Sequence, residues 1–207
     1  DVYKRQVSML SAYQASPRQG HLEALYQIFA YIKKNPKLSL YFDARLPNID
    51  YTCFQNNASD FIEYYRDAKE ELPPRTPEPR GRVVYTTAFV DASHAGNKIT
   101  RRSQTGFILF VNRAPVVWYS KKQSTVECSA FSSEFLAMRT CIESVVALRY
   151  KLRMFGVPLD GPTDIFCDNN SVVLNSSNVE SKLNKKNNSL AYHYTPVSYT
   201  HLTLPTM

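Results

Sequence analysis

The chain has 207 residues, 43% hydrophobic and 13% aromatic, enough for one filled core plus an appendage. Charged residues at 21% and a mean hydropathy of -0.35 fit a soluble globular class, and no apolar run approaches the ~20 residues of a membrane span. A net charge of +7 with pI near 9.2 favours a polyanionic partner. The cysteines, Cys53, Cys128, Cys141 and Cys167, lack C-x-x-C spacing, so neither a disulfide framework nor a zinc knuckle is indicated and reduced thiols of an intracellular protein are expected.

In chain order, residues 1–6 (DVYKRQ) can be encoded by a string that resembles a transposase-type sequencing adapter. Its reverse complement encodes the VSYTHL found within residues 195–207. Both ends are expected to be translated adapter and the chain a fragment. Residues 7–69 are expected to form a helical segment. Within it Leu22, Leu25, Ile28, Phe29 and Ile32 recur at helical spacing. Ser16 is the expected cap before Pro17, Lys33 and Lys34 suit the helix C-terminus, and Pro36 stops it. A short strand is expected over 38–43, and a helix or an irregular arm over 61–72.

Residues 70–82 hold Pro73, Pro74, Pro77, Pro79 and Gly81 and read as an extended linker. The next run, 83–91, is rich in β-branched and aromatic residues and ends on Asp91, so it predicts a strand whose tip carries a carboxylate. Residues 97–104 are polar and turn-like. Strands follow over 106–111 and 116–120, with a turn at 112–115 between them, giving a three-stranded antiparallel meander. A long helix is expected over 129–155, ended by Gly156 and Pro158. Phe131, Phe135, Met138, Ile142, Val145, Val146 and Leu152 trace its apolar face, and Glu134 flanks that face. A fourth strand over 163–168 again ends on an aspartate, Asp168, and should return parallel to the meander. Asn169, Asn170 and Ser171 then cap a short helix over 172–174. Residues 180–188 are polar and carry Lys182, Lys185 and Lys186.

Asp91 and Asp168 thus terminate two strands, with Glu134 on a helix packed over the sheet. Converging carboxylates repel and their pKa values rise unless cations neutralise them. Hard oxygen donors of this kind suit magnesium, and a pair of such ions could drive an in-line phosphodiester displacement. On spacing alone, acids that merely cap turns are an open alternative.

Five ordered motifs sharpen this reading: VDASHAG at 90–96, TRRSQTG at 100–106, WYSKKQ at 118–123, SEFLA at 133–137 and CDN at 167–169. Together they resemble the ribonuclease H domain of copia-type retrotransposon Pol polyproteins, over about residues 7–193. The resemblance implies an α/β, ribonuclease H-like mixed sheet over 83–194, C-terminally truncated, with the meander, a helix, a parallel fourth strand and a helix. Residues 7–69 resemble the connection that follows the reverse-transcriptase polymerase. The implied activity is cleavage of the RNA strand of RNA–DNA hybrids with two magnesium ions, manganese being able to substitute. Asp91, Glu134 and Asp168 carry over as catalytic and metal-binding residues. The implied partners are the hybrid and the rest of the Pol polyprotein, reverse transcriptase and integrase, with no membrane. The implied setting is a cytoplasmic retrotransposon particle.

The sequence departs from that pattern where Ser93 replaces a frequent second acid and where KNNS stands at 186–189. The pattern's closing strand and fourth acid would fall beyond His193. A non-catalytic hybrid-binding or connection module is the alternative. Arg101, Arg102, Lys121 and Lys122 are candidates for gripping phosphates, against a plain solvated face. Asn169 and Ser103 could hydrogen-bond 2′-hydroxyls, with capping and turn roles competing. His94 could touch substrate or be a turn residue without a role. Trp118 and Tyr119 are expected to fill the core.

Overall fold

The computed structural model describes residues 2–50, 72–97, 99–177 and 202–203. Two helices, α1 (Val2–Ser11) and α2 (Gln19–Lys34), precede strands β1 (Thr86–Ser93), β2 (Gln104–Val111) and β3 (Ala114–Lys122). Helix α3 (Ala130–Met154), strand β4 (Thr163–Cys167), helix α4 (Asn170–Ser177) and a two-residue strand β5 (Leu202–Thr203) follow. The sheet order is β3-β2-β1-β4-β5. β1 runs antiparallel to β2 and parallel to β4, so the meander, crossover helix and parallel return are those the sequence predicts. This is an α/β mixed sheet of ribonuclease H-like layout. β5 pairs parallel to β4 within the stretch expected to be adapter.

Alternation along the strands decides which face is dry. Ala88, Val90 and Ala92 of β1, Phe107 and Leu109 of β2, and Ile165 and Cys167 of β4 face one way. They meet Phe135, Met138, Cys141, Ile142 and Val145 of α3, all nearly fully buried. Alanines at 88 and 92 keep that face of β1 low, which lets α3 lie close over it. Ser129 caps α3 by accepting from Ser132 N–H at 3.2 Å, and Arg149, itself buried, ties the helix to the start of β4 by donating to Gly161 O and Thr163 Oγ1.

Several local expectations are corrected. The cap of α2 is at Arg18, not Ser16, because the His21 ring turns back and its Nδ1 accepts the Arg18 N–H at 3.1 Å. Residues 38–43 form no strand, since among the described residues no edge pairs with them; Leu38, Leu40, Tyr41 and Phe42 are exposed. Asp43 instead binds Arg45, and this stretch is tethered to the β2–β3 turn by Asn112 Nδ2 and Arg113 Nε, which donate to Ala44 O and Leu46 O. β1 continues two residues past Asp91 because β2 keeps pairing with it as far as Ser93. Trp118 does not fill the core: it faces away from α3 opposite Ile108 and is 42% exposed, whereas Tyr119 packs inward and stacks on Phe107. The helix or arm expected over 61–72 and the polar 180–188 stretch lie outside the described residues, apart from Leu72, as does Cys53.

The linker is held, not loose: Arg80 N–H donates to Gly156 O at 2.8 Å and Val84 N–H to Pro158 O at 3.0 Å. Gly156 ends α3 at φ +68, and a Cβ there would meet Glu78 O at 3.3 Å. A Gly156→Ala variant should lose roughly 1–2 kcal/mol of stability, read as a lower urea midpoint; an unchanged midpoint would show that the helix end is not locked to the linker.

Candidate metal centre

The parallel ladder between β1 and β4 ends at Val90 opposite Cys167, so the next residue on each strand is an aspartate. Asp91 and Asp168 are therefore neighbours at one rim of the sheet, both exposed to solvent. Glu134, in the second turn of α3, comes down over the same rim and is only 8% exposed. Beyond the end of the β4 ladder, Ala92 N–H donates to the Glu134 carboxylate. Its other oxygen, Oε2, is buried with no hydrogen-bond partner among the described residues.

Burial pushes the Glu134 carboxyl up to about 8, and the negative charges of Asp91 and Asp168 push in the same direction, against the Ala92 N–H. A buried acid facing two more acids is the arrangement a cation resolves. The donor set of carboxylate oxygens fits a hard divalent ion such as magnesium. In front of Asp91 and Asp168 lies an open groove of about 460 Å³, floored by Phe89, Phe166 and Gly106. Gly106 pairs with Asp91, and having no side chain it leaves the groove open beside that carboxylate. Arg5 also lines it and donates to Ser93 Oγ at 2.7 Å.

The basic candidates sit at the same end of the sheet, since Gln104 and Thr105 pair with Lys122 and Lys121 while Ser93 pairs with Gln104. Arg101 is presented by a closed turn: Asn97 Oδ1 accepts from Ile99 and Thr100 N–H, and Arg101 takes φ 54. Arg102 and Lys122 line one small cavity together. Ser103 is corrected: it is fully buried and its Oγ accepts the Ala95 N–H at 3.1 Å, so it serves the turn and cannot reach a 2′-hydroxyl. Asn169 caps α4 through Oδ1, accepting Val172 N–H at 3.3 Å, and stays half-buried beside Asp168. His94 is exposed, with Nδ1 3.3 Å from Ser133 Oγ.

Two residues at the centre were not singled out for the site from sequence. Gln123 is buried and donates to both Thr105 Oγ1 (3.0 Å) and Ser133 O (2.9 Å), pinning the start of α3, and so Glu134, to the sheet. Cys167 brings its Sγ into a group with Glu134 and Asp168 whose ligand atoms lie within 4.8 Å of one another. Gln123 ends the WYSKKQ motif and Cys167 opens CDN, but an amide or a thiol there has no spacing that announces its contact.

The chain is 23% identical over 188 residues, 91% of its length, to the retrovirus-related Pol polyprotein from transposon RE1 of Arabidopsis thaliana. It is 27% identical over 115 residues, 56% of its length, to that from transposon RE2 of the same plant. These stretches are 10% and 8% of the two relatives, so the chain spans about a tenth of their length. No family model matches it. Among solved structures, RNase H1 from Halobacterium salinarum superposes with a TM-score of 0.46 at 12% identity, covering 59% of this chain and 85% of that one. LC11-RNase H1, solved with an RNA/DNA hybrid, does so at 0.44 and 12%, covering 59% and 84%. The fold is an α/β mixed sheet with acidic side chains at one rim. In sequence the chain is similar to the retrovirus-related Pol polyproteins of transposons.

The Glu134 environment has a pH consequence. The folded state holds a proton up to about 8 that the unfolded chain releases near 4.5, so metal-free protein should lose stability as pH rises through that window. In chelator, the thermal midpoint should fall from pH 5 to pH 8 in the wild type. In Glu134→Gln that part of the slope should vanish, leaving the variant more stable at pH 8 by on the order of a few kcal/mol. Parallel slopes in the two proteins would contradict the burial of this carboxyl against the aspartates.

Proposed function

We propose that this chain is the ribonuclease H part of a copia-type Pol polyprotein, a metal-dependent endonuclease that hydrolyses the RNA strand of RNA–DNA hybrids. The observation that carries the reading is Glu134 itself: its Oε2 is buried and unpartnered among the described residues, it lies under the negative charges of Asp91 and Asp168, and its ligand atom is within 4.8 Å of that of Asp168. Asp91 and Asp168 would hold divalent ions from the groove side and Glu134 from beneath. Bound there, magnesium supplies Lewis-acid stabilisation of the charge that builds on the phosphate during in-line displacement. The chain's own part is to fix the three carboxylates before substrate arrives, through Gln123, the Ala92 N–H and the parallel β1–β4 register. Preorganised charge of this kind avoids reorganisation in the transition state.

Substrate grip is assigned to Arg101, Arg102, Lys121 and Lys122, which lie on the acidic rim's side of the sheet and would neutralise hybrid phosphates. Asn169, half-buried beside Asp168, would hydrogen-bond a 2′-hydroxyl of the strand being cut. The relationship to transposon Pol polyproteins supports reverse transcriptase and integrase as companion parts, and a cytoplasmic particle as the setting.

Incubated with magnesium and a hybrid labelled in its RNA strand, the full chain should shorten that strand. Asp91→Asn or Asp168→Asn should lower the rate roughly a hundredfold or more, since each removes Lewis-acid stabilisation worth several kcal/mol. Wild-type rates in Asp91→Asn would overturn the assignment, and tight hybrid binding with no cleavage by the wild type would favour the non-catalytic module. The double variant Arg101→Ala, Arg102→Ala should bind hybrid more weakly and flatten the slope of log affinity against log salt by roughly 1–2, as expected for two lost phosphate contacts. An unaltered slope by fluorescence anisotropy would return both arginines to a solvated face.

A further inference from the structure

We propose that Glu134, Cys167 and Asp168 form a mixed sulfur–oxygen site that captures a thiophilic divalent cation, Zn2+ or Cd2+ by chemistry. The inference shares two carboxylates with the reading above but does not depend on hybrid cleavage. Three donor atoms, one from each residue, lie within 4.8 Å of one another. A tetrahedral cation with bonds of about 2.0–2.3 Å holds its donors roughly 3.5 Å apart, so a small contraction completes the set. A second observation points the same way: Glu134 is 8% exposed, and its Oε2 is buried without a hydrogen-bond partner among the described residues. Cys167 is fully buried as the last residue of β4, on the side of the strand that faces α3. Burial pushes the Cys167 thiol up to about 12, against the Asn169 N–H that its sulfur receives, so the cation has to displace the thiol proton.

The donor chemistry then sorts cations. Magnesium takes oxygen ligands and keeps water, whereas thiolate selects softer ions. On capture the Cys167 thiol loses its proton to solvent and the sulfur–metal bond forms, with no change of oxidation state. A thiophilic ion so held occupies Glu134 and Asp168 and competes with magnesium at the same rim.

The test titrates Cd2+ alone into the full chain carrying Cys53→Ser and Cys128→Ser, following the thiolate-to-cadmium charge-transfer band in the ultraviolet. One equivalent of Cd2+ should produce the band, and Cys167→Ser should abolish it. Glu134→Gln should weaken the affinity roughly tenfold or more, and Cys141→Ser should leave the band in place. No band, or a band that survives Cys167→Ser or is lost in Cys141→Ser, would overturn the site. Circular dichroism reports whether Cys167→Ser folds; if it does not, the Glu134→Gln arm decides, because unchanged cadmium affinity there contradicts the proposal. Hybrid cleavage assayed separately in magnesium keeps the two claims apart, since a chain that captures Cd2+ but never cuts would sink only the nuclease.

Discussion

The structure turns on one carboxylate that has nowhere to put its charge. Glu134 lies beneath the rim of the sheet, with one oxygen served by a backbone N–H and the other served by nothing among the described residues. Without a cation, burial and the neighbouring aspartates favour its protonated form and push the carboxyl up to about 8. With a cation, the same burial becomes an asset, because a dry and fixed ligand gives up little when metal arrives. The small residues on β1, the Ser129 cap and the Gln123 clamp all bear on this one position, since together they set how deep and how rigidly the first turns of α3 sit.

The rest of the centre follows from register. A parallel neighbour places equivalent strand ends side by side, so an aspartate after Val90 and one after Cys167 become adjacent without any special local device. The polar hairpin end then carries Arg101, Arg102, Lys121 and Lys122 to that same side. A positively charged shoulder beside an acidic rim is the distribution expected of a surface that holds a polyanion while needing metal to approach it closely. The groove in front of Asp91 and Asp168 stays open because Gly106 contributes no side chain opposite Asp91.

Much of this was legible in the amino-acid sequence. Strand periodicity and turn residues located the meander, helical spacing located α3, and the two strand-terminal aspartates pointed to each other once the β4 return was taken as parallel. What was not legible depended on partners distant in the chain. An apolar run such as 38–42 has strand composition, yet composition cannot supply a free edge to pair with. Trp118 has the character of a core residue, but a period of two sends it outward when Val117 and Tyr119 face in. Ser103 had the chemistry for a sugar hydroxyl and lost it to burial in a turn. Gln123 and Cys167 matter through the atoms they touch, and nothing in their spacing states what those atoms are.

The claim at the centre is that three acids gather to hold a divalent ion. Manganese binding, followed by the loss of the free-ion electron paramagnetic resonance signal on titration with the full chain, tests it most directly because it needs neither substrate nor turnover. The account predicts saturable binding by the wild type, weakened roughly tenfold or more by each of Asp91→Asn, Glu134→Gln and Asp168→Asn. Wild-type affinity for manganese in the Glu134→Gln protein, shown to be folded, would contradict it.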